Sequence, residues 1–394
     1  MTTVTAESDP RRLRSTWILT FRRLCVKQLG PGRGRAVSFA VARERRDKPG
    51  GSHLGYLALH SGPQYGMMDM LSFRKHRELP VRLNEIAFEH GRRMMAEADQ
   101  LRVAVHEDPG GSRIIDCGVN VPGGLEAGRR LAEICMAGLG EVSFASSSAE
   151  SWHMPGLMVR TDHPVAACMA SQYAGWQLAV EGFFALGSGP MRAIAGKESL
   201  FDSIGYWGAE EVAIGVLETS QLPSPEVCQH IARQCRVDPS KLILLVTPTA
   251  SQAGTIQVVA RSVEMAMHKL FELGFELDRV ESGVGLAPVP PVAGSDLEAM
   301  GRTHDAILYG SEVTLWLRGD ESSMASVGAR VPSDTSPEHG HPFVRIFERH
   351  NRDFSRIDPS LFGPAVLTLF NLDTGRSYRF GRMMSDVLQR SFTT

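Results

Sequence analysis

At 394 residues the chain is long enough for two or three domains. Its 43% hydrophobic and 22% charged content is that of a globular protein, and no apolar run approaches the ~18 residues of a membrane span. The six cysteines are scattered without a CxxC, which suits a reducing compartment and argues against a structural zinc site.

A net charge of −2 hides an asymmetry: residues 1–66 hold 12 Lys/Arg against 4 Asp/Glu, so the first segment is +8 and the remainder −10. That segment is rich in Arg, Gly and Ser and shows no helical periodicity. Such a tail suits either a nucleic-acid or phosphate contact, or an upstream extension that is not part of the working protein, with Met67, Met68 and Met70 as internal starts. The second reading is preferred, so residues 1–70 are expected to be a poorly structured basic extension.

From Pro80 onward the sequence becomes regular. Residues 80–100 read as an amphipathic helix with Leu83, Ile86, Ala87 and Met94 inward. Leu101–His106 and Arg113–Asp116 read as strands around a Pro-Gly-Gly turn. Asp116–Gly124 is a glycine-rich bend into a helix over Leu125–Leu139. It is either a tight connection or a place where backbone, including Asn120, Gly123 and Gly124, approaches a ligand. A strand is expected at 157–161, a short helix at Val165–Ala174 and an apolar run at Trp176–Leu186. Then comes Gly187–Arg192, either a simple turn before a helix or a place where backbone amides, with Ser188, Gly189 and Arg192, could hold an anion.

Strand, helix and strand follow at 212–218, 225–236 and 241–247. After the next helix come a strand near Val280–Leu286, a helix at 295–308 and a strand at 312–318. Residues 319–341, rich in Ser, Gly, Pro and His, read as a long loop or lid. The His339 and His341 pair there is too weak a pattern to argue for a metal. Strand, turn, strand and a closing helix end the chain. This alternation specifies mixed α and β layers, an α+β protein.

Thr247–Gly274 carries the most information. It reads as about five helical turns stopped by Gly274, with Ile256, Val259, Val263, Ala266, Met267 and Leu270 on one face. Gln257, Arg261, Glu264 and His268 share the opposite stripe, and Arg261 and Glu264 are one turn apart. A solvated stripe is the ordinary reading of such a pattern. The absence of any charge between Thr247 and Arg261 pulls against it. His268 is read as a surface residue, and Cys117 and Cys135 as small packing residues.

Several long motifs resemble methenyltetrahydromethanopterin cyclohydrolases. They are DCGVNVPGGLEAGRRLAEICMAGLG, TDHPVAACMASQYAGW, FFALGSGPMRA, SQAGTIQVVARSVEMAMHKL, RTHDAILYGSEVTLWL and IDPSLFGPA followed by TGRSYRFG. The resemblance runs from about Leu79 to the C-terminus. It implies two mixed α/β-layer domains with a pterin cleft between them, expected here over residues 71–195 and 196–394. It also implies a cytoplasmic homo-oligomer, trimers being known in the family, that needs no metal or redox cofactor. The partner implied is a small-molecule pterin, with no membrane and no nucleic acid. The family's active-site Arg and Glu correspond by motif to Arg261 and Glu264, with Gln257 as a helper and the two glycine stretches as cleft walls. A pterin-binding protein without catalysis and a nucleic-acid binder acting through the basic segment are the alternatives.

Overall fold

The structure, a computed structural model, describes residues 82–146, 154–206 and 209–393. The expected basic extension, residues 1–70, lies outside the described residues.

Helix α1 (Leu83–Ala96) buries Leu83, Ala87 and Met94 as the periodicity requires. A short turn, Ala98–Leu101, ends in left-handed Arg102, which delays the first strand to β1 (Ala104–Glu107). β1 pairs antiparallel with β2 (Arg113–Asp116). After α2 (Leu125–Cys135) the chain lays down β3 (Gly140–Ser146) and β4 (Pro155–Thr161) in a different sheet. A π-helix, Val165–Gln172, leads to β5 (Trp176–Val180) and β6 (Phe183–Ser188). The apolar run at Trp176–Leu186 is therefore a hairpin. Its turn is made by Glu181 and Gly182, both at positive φ.

The chain continues through α3 (Met191–Ala195), β7 (Ala213–Glu218), α4 (Pro225–Cys235) and β8 (Leu242–Thr247). The expected single central helix is two: α5 (Gln252–Val259) and α6 (Ser262–Glu272), broken at Ala260 and Arg261. Next are β9 (Val280–Pro288), α7 (Asp296–Gly310) and β10 (Glu312–Leu317). The expected loop or lid at 319–341 contains α8 (Glu321–Gly328), capped by the Asp320 side chain and anchored by buried Met324 and Val327. Two buried apolar anchors and a cap suffice for a short helix in a Ser-rich segment. The chain closes with α9 (Phe343–Arg349), β11 (Val366–Asn371), β12 (Ser377–Gly381) and α10 (Ser385–Phe392).

Two six-stranded mixed sheets result, ordered β1-β2-β8-β7-β6-β5 and β12-β11-β10-β9-β4-β3. The α+β expectation holds. Both sheets draw strands from either side of residue 195, so the sheets do not coincide with consecutive halves of the sequence. In the first sheet β2, β8 and β7 run parallel. Their apolar runs are buried on both faces, as central parallel strands require. Leu242, Leu244 and Val246 pack with α4. Ile243 and Leu245 pack with α1 and α2. The second sheet is one-sided: Val313, Leu315 and Leu317 point inward while Glu312, Thr314 and Trp316 are half-exposed.

Helices α5 and α6 tie the two sheets together. Ala253 belongs to the first sheet's core, whereas Ile256, Val259, Val263 and Leu270 belong to the second's. Close approach is made possible by glycines where side chains would collide. A Cβ on Gly128 of α2 would lie 2.7 Å from Ile256 Cβ and 2.9 Å from Ala253 Cα. Gly283 and Gly285 of β9 likewise leave room for Val263 and Ser262.

Glycine in a helix interior is ordinarily less stable than alanine by roughly 0.5–1 kcal/mol. Gly128→Ala should reverse that sign, because overpacking of the α2–α5 contact costs about 1–3 kcal/mol. Urea unfolding of the two proteins measures it; a stabilised variant would show that the contact is not tight.

Candidate functional site beside the broken helix

The site begins at the carboxyl ends of the three parallel strands, where open α/β sheets place their ligands. β8 ends at Thr247 and the chain turns sharply into α5. Ser251 caps that helix: its Oγ accepts from Gly254 N at 2.9 Å and donates to Pro248 O at 2.8 Å. The Cap uses neutral groups, and Thr247, Thr249 and Thr255 are buried around it. This explains the uncharged start of the segment: it is interior.

The polar stripe is interior too. Gln257 is fully buried, and Arg261 and Glu264 are each 7% exposed. Arg261 stands at the helix break and cross-links three elements. Its Nη1 donates to Gln172 O at 2.5 Å, at the end of the π-helix. Its Nη2 donates to Ser188 Oγ at 3.2 Å, at the end of β6, and to Gln257 Oε1 at 3.1 Å. Gln172 also donates from Nε2 to the Ala260 carbonyl at 3.1 Å, and Arg261 N reaches back to Val258 O. An inserted side chain and a tightened turn account for the break without glycine or proline.

Glu264 lies one turn on. The Arg261 guanidinium is 3.9 Å from its Oε2, an ion pair too long to be a hydrogen bond. Burial pushes the Glu264 carboxyl up to about 7, opposed by the positive charges of Arg261 and Arg192. The carboxyl is therefore balanced between acid and base near neutrality, the condition for efficient proton transfer.

Other expected residues fall at graded distances from this centre. Ser188 is in it. Arg192 is fully buried and committed to the protein: Nε and Nη2 bond Glu198 at 2.8 and 2.5 Å, and Nη1 bonds Met169 O and Ser171 O. It braces the π-helix end. Gly189 does the same through its N–H to Ser171 O. In the other glycine stretch, Asp116 accepts from the N–H groups of Gly118, Val119 and Asn120 at 2.7–2.9 Å and so shapes the loop. Asn120 is exposed at its tip. Gly123 has φ +57, and a Cβ there would strike the Cys117 carbonyl. Its glycine serves the turn itself, and Gly124 follows as the cap of α2.

His268, expected at the surface, has only 23% of its side chain exposed and stacks on Tyr173 at 4.7 Å. Burial, with Lys269 and Arg192 nearby, lowers its pKa to about 4, so it is a neutral wall beside Glu264. Cys135 lies 3.2 Å from Ser188 Oγ, and burial pushes its thiol up, as it does that of Cys117. Neither is a ready nucleophile.

Two participants were invisible in the sequence. Gln172 sits in an apolar run and reads as an isolated polar residue. Glu218 ends β7 and reads as the first solvated residue of a turn. It is instead half-buried: Oε1 accepts from Thr249 Oγ1, and Oε2 from Gln257 Nε2 at 3.4 Å.

A buried carboxyl beside a fixed guanidinium is an arrangement chemically able to activate a water. The cyclohydrolase family model (MCH) matches residues 82–392, and the chain belongs to that family. It is 44% identical over 300 residues to the methenyltetrahydromethanopterin cyclohydrolase of Methylobacillus flagellatus, covering 76% of this chain and 91% of the relative. With the enzyme of the same name from Rhodopirellula baltica it shares 44% over 287 residues, covering 72% and 86%. With that of Methanospirillum hungatei it shares 41% over 313 residues, covering 79% and 99%.

The raised Glu264 pKa has a consequence for stability. Its contribution is fully present below the unfolded value of about 4.5 and is lost as pH rises through about 7. Glu264→Gln should therefore match the native protein near pH 4.5 and exceed its stability above pH 7 by up to roughly 3 kcal/mol. Denaturant unfolding at the two pH values measures this; equal stabilities at both would mean the carboxylate is not desolvated.

Proposed function

We propose that this protein hydrolyses the 5,10-methenyl bridge of tetrahydromethanopterin, or of its dephospho form, to the 5-formyl derivative, with Glu264 as general base and Arg261 orienting it. One observation carries the assignment of roles: Glu264 is buried, free of hydrogen bonds from described residues, and held 3.9 Å from a guanidinium that is itself fixed on three sides.

The substrate's bridge carbon lies between two nitrogens that share one positive charge. A water activated by Glu264 adds to that carbon and gives up one proton to the carboxylate. The neutral adduct then loses its hydroxyl proton as the carbonyl forms, the C–N10 bond breaks, and N10 takes a proton. The sum is cation plus water to formyl product plus one proton. Glu264 supplies the acceptor for the first step and the donor for N10, which needs a pKa near the working pH. Its ionised form also favours the cation. Arg261 keeps the carboxylate from rising further in pKa and aims it.

No electrons change hands, because the carbon stays at the formate level, and the electrophile already carries its own charge. The reaction as written needs no redox cofactor and no metal. In this reading Ser188 and Gln257 line the floor, and the Asp116–Gly124 loop forms the rim. The lobes around the two sheets close on a pterin, and the setting is a cytoplasmic homo-oligomer.

Loss of the methenyl chromophore's absorbance tests the reading. The enzyme should turn over methenyltetrahydromethanopterin or its dephospho form, and methenyltetrahydrofolate poorly. Glu264→Gln should lower turnover at least about 100-fold, and the acid limb near pH 7 should disappear from any residual activity. Arg261→Lys keeps the charge but loses the planar fork, and should also reduce turnover. Near-normal turnover by Glu264→Gln would remove that residue from the mechanism.

A further inference from the structure

Glu218 is the one carboxylate at this site for which the hydrolysis has no use. It stands at the carboxyl end of β7, half-buried, with no Lys, Arg or His of the described residues within 4.0 Å. An ionised carboxylate offers about four acceptor positions, two on each oxygen. Thr249 Oγ1 occupies one on Oε1, and Gln257 Nε2 occupies one on Oε2 at a long 3.4 Å. Among the described residues one acceptor position therefore remains on each oxygen, the number a bidentate pair of donors needs.

The amide next to it is fixed in orientation. Gln257 Oε1 is taken by Arg261, so its NH₂ must face Glu218. A continuous chain thus runs from Glu218 through Gln257 and Arg261 to Glu264 along one side of the broken helix. Gln257 and Glu264 lie on successive helices on either side of the break, so Glu218 and Glu264 mark the two ends of this chain of contacts. A bicyclic ring lying along that chain with its reacting carbon at Glu264 would turn its far edge toward Glu218.

We infer that Glu218 is the specificity-determining residue that reads the 2-amino-4-oxopyrimidine edge of the substrate, accepting from the 2-amino group and from N3–H. That edge presents two adjacent donors, the complement of a carboxylate, and charge-assisted pairs of this geometry are the strong ones. Its negative charge also favours a cationic substrate. The inference rests on the pterin reading above but is separable from it: turnover of the methenyl pterin by the unaltered enzyme tests that reading, whatever Glu218 does.

The experiment compares equilibrium binding of methenyltetrahydromethanopterin, by its absorbance, to Glu264→Gln and to Glu264→Gln/Glu218→Gln. The second should bind at least about 30-fold more weakly. Thr249→Val in the same background removes only the internal bond and should stay within about threefold. A role confined to folding would weaken both alike and overturn the inference.

A second readout uses fragments as competitive inhibitors of the otherwise unaltered enzyme. 6-Methylpterin presents two donors on the edge, whereas 6-methyllumazine presents an acceptor and a donor. The native enzyme should prefer the pterin, and Glu218→Gln, whose amide offers an acceptor and a donor, should reverse the preference. Unchanged affinity for the substrate, or a native enzyme indifferent to the 2-amino group, would overturn the assignment.

Discussion

The Arg261 guanidinium is the interaction on which the site depends. It sits where the helix between the two sheets breaks, and it binds the ends of a π-helix, a strand of the first sheet and the preceding helix. Those acceptors come from parts of the chain 89, 73 and 4 residues away. A surface arginine would lose its geometry to side-chain entropy and solvent. This one is 7% exposed and directed on several sides, so its position is set by the packing of both sheets. Arg192, beneath the π-helix, extends the same scheme by bracing the carbonyls beside Gln172.

That rigidity gives Glu264 its character. A buried carboxylate would rise in pKa until it was useless as a base at neutral pH, while a tightly paired one would fall until it could not return a proton. Here desolvation outweighs the opposing guanidinium at 3.9 Å, and the balance settles at about 7. Arg261 and Glu264 lie one turn apart at the start of α6, where a close bidentate pair is the easy outcome. With the Arg261 guanidinium turned instead toward Gln172, Ser188 and Gln257, the carboxylate is left without a hydrogen bond from any described residue. In the proposed mechanism the stability lost by burying it is exchanged for a carboxylate able to take up and return a proton.

How much of this could be read in the sequence follows from where each signal resides. The strand at 242–247 announces itself because both faces are buried and the run is wholly apolar. The helix at 225–235 does so because Ser224 caps it, Pro225 opens it and Val227, Ile231 and Ala232 keep the helical period. The missing charges before Arg261 signal that its stripe is interior, and the burial of Arg261 and Glu264 agrees; their place in the proposed mechanism comes from a long motif shared with a family. The break between α5 and α6 was not legible, because no glycine or proline marks it; the agent is the side chain of Gln172, 88 residues away. Glu218 was hidden for a similar reason, since a glutamate after a strand reads as a solvated turn. Arg192 looked like an anion ligand beside a glycine loop. Only the fold shows that its donors are taken by Glu198 and the π-helix. Local pattern identifies elements, whereas the site is made by contacts distant in sequence.

The central claim is that Glu264 is held near neutrality by burial against a fixed guanidinium. Infrared difference titration of the substrate-free protein tests it directly, with Glu264→Gln as the reference that removes the signal. The account predicts that the protonated Glu264 carbonyl band disappears with a midpoint near pH 7. A midpoint at the ordinary carboxylate value of about 4.5 would contradict it.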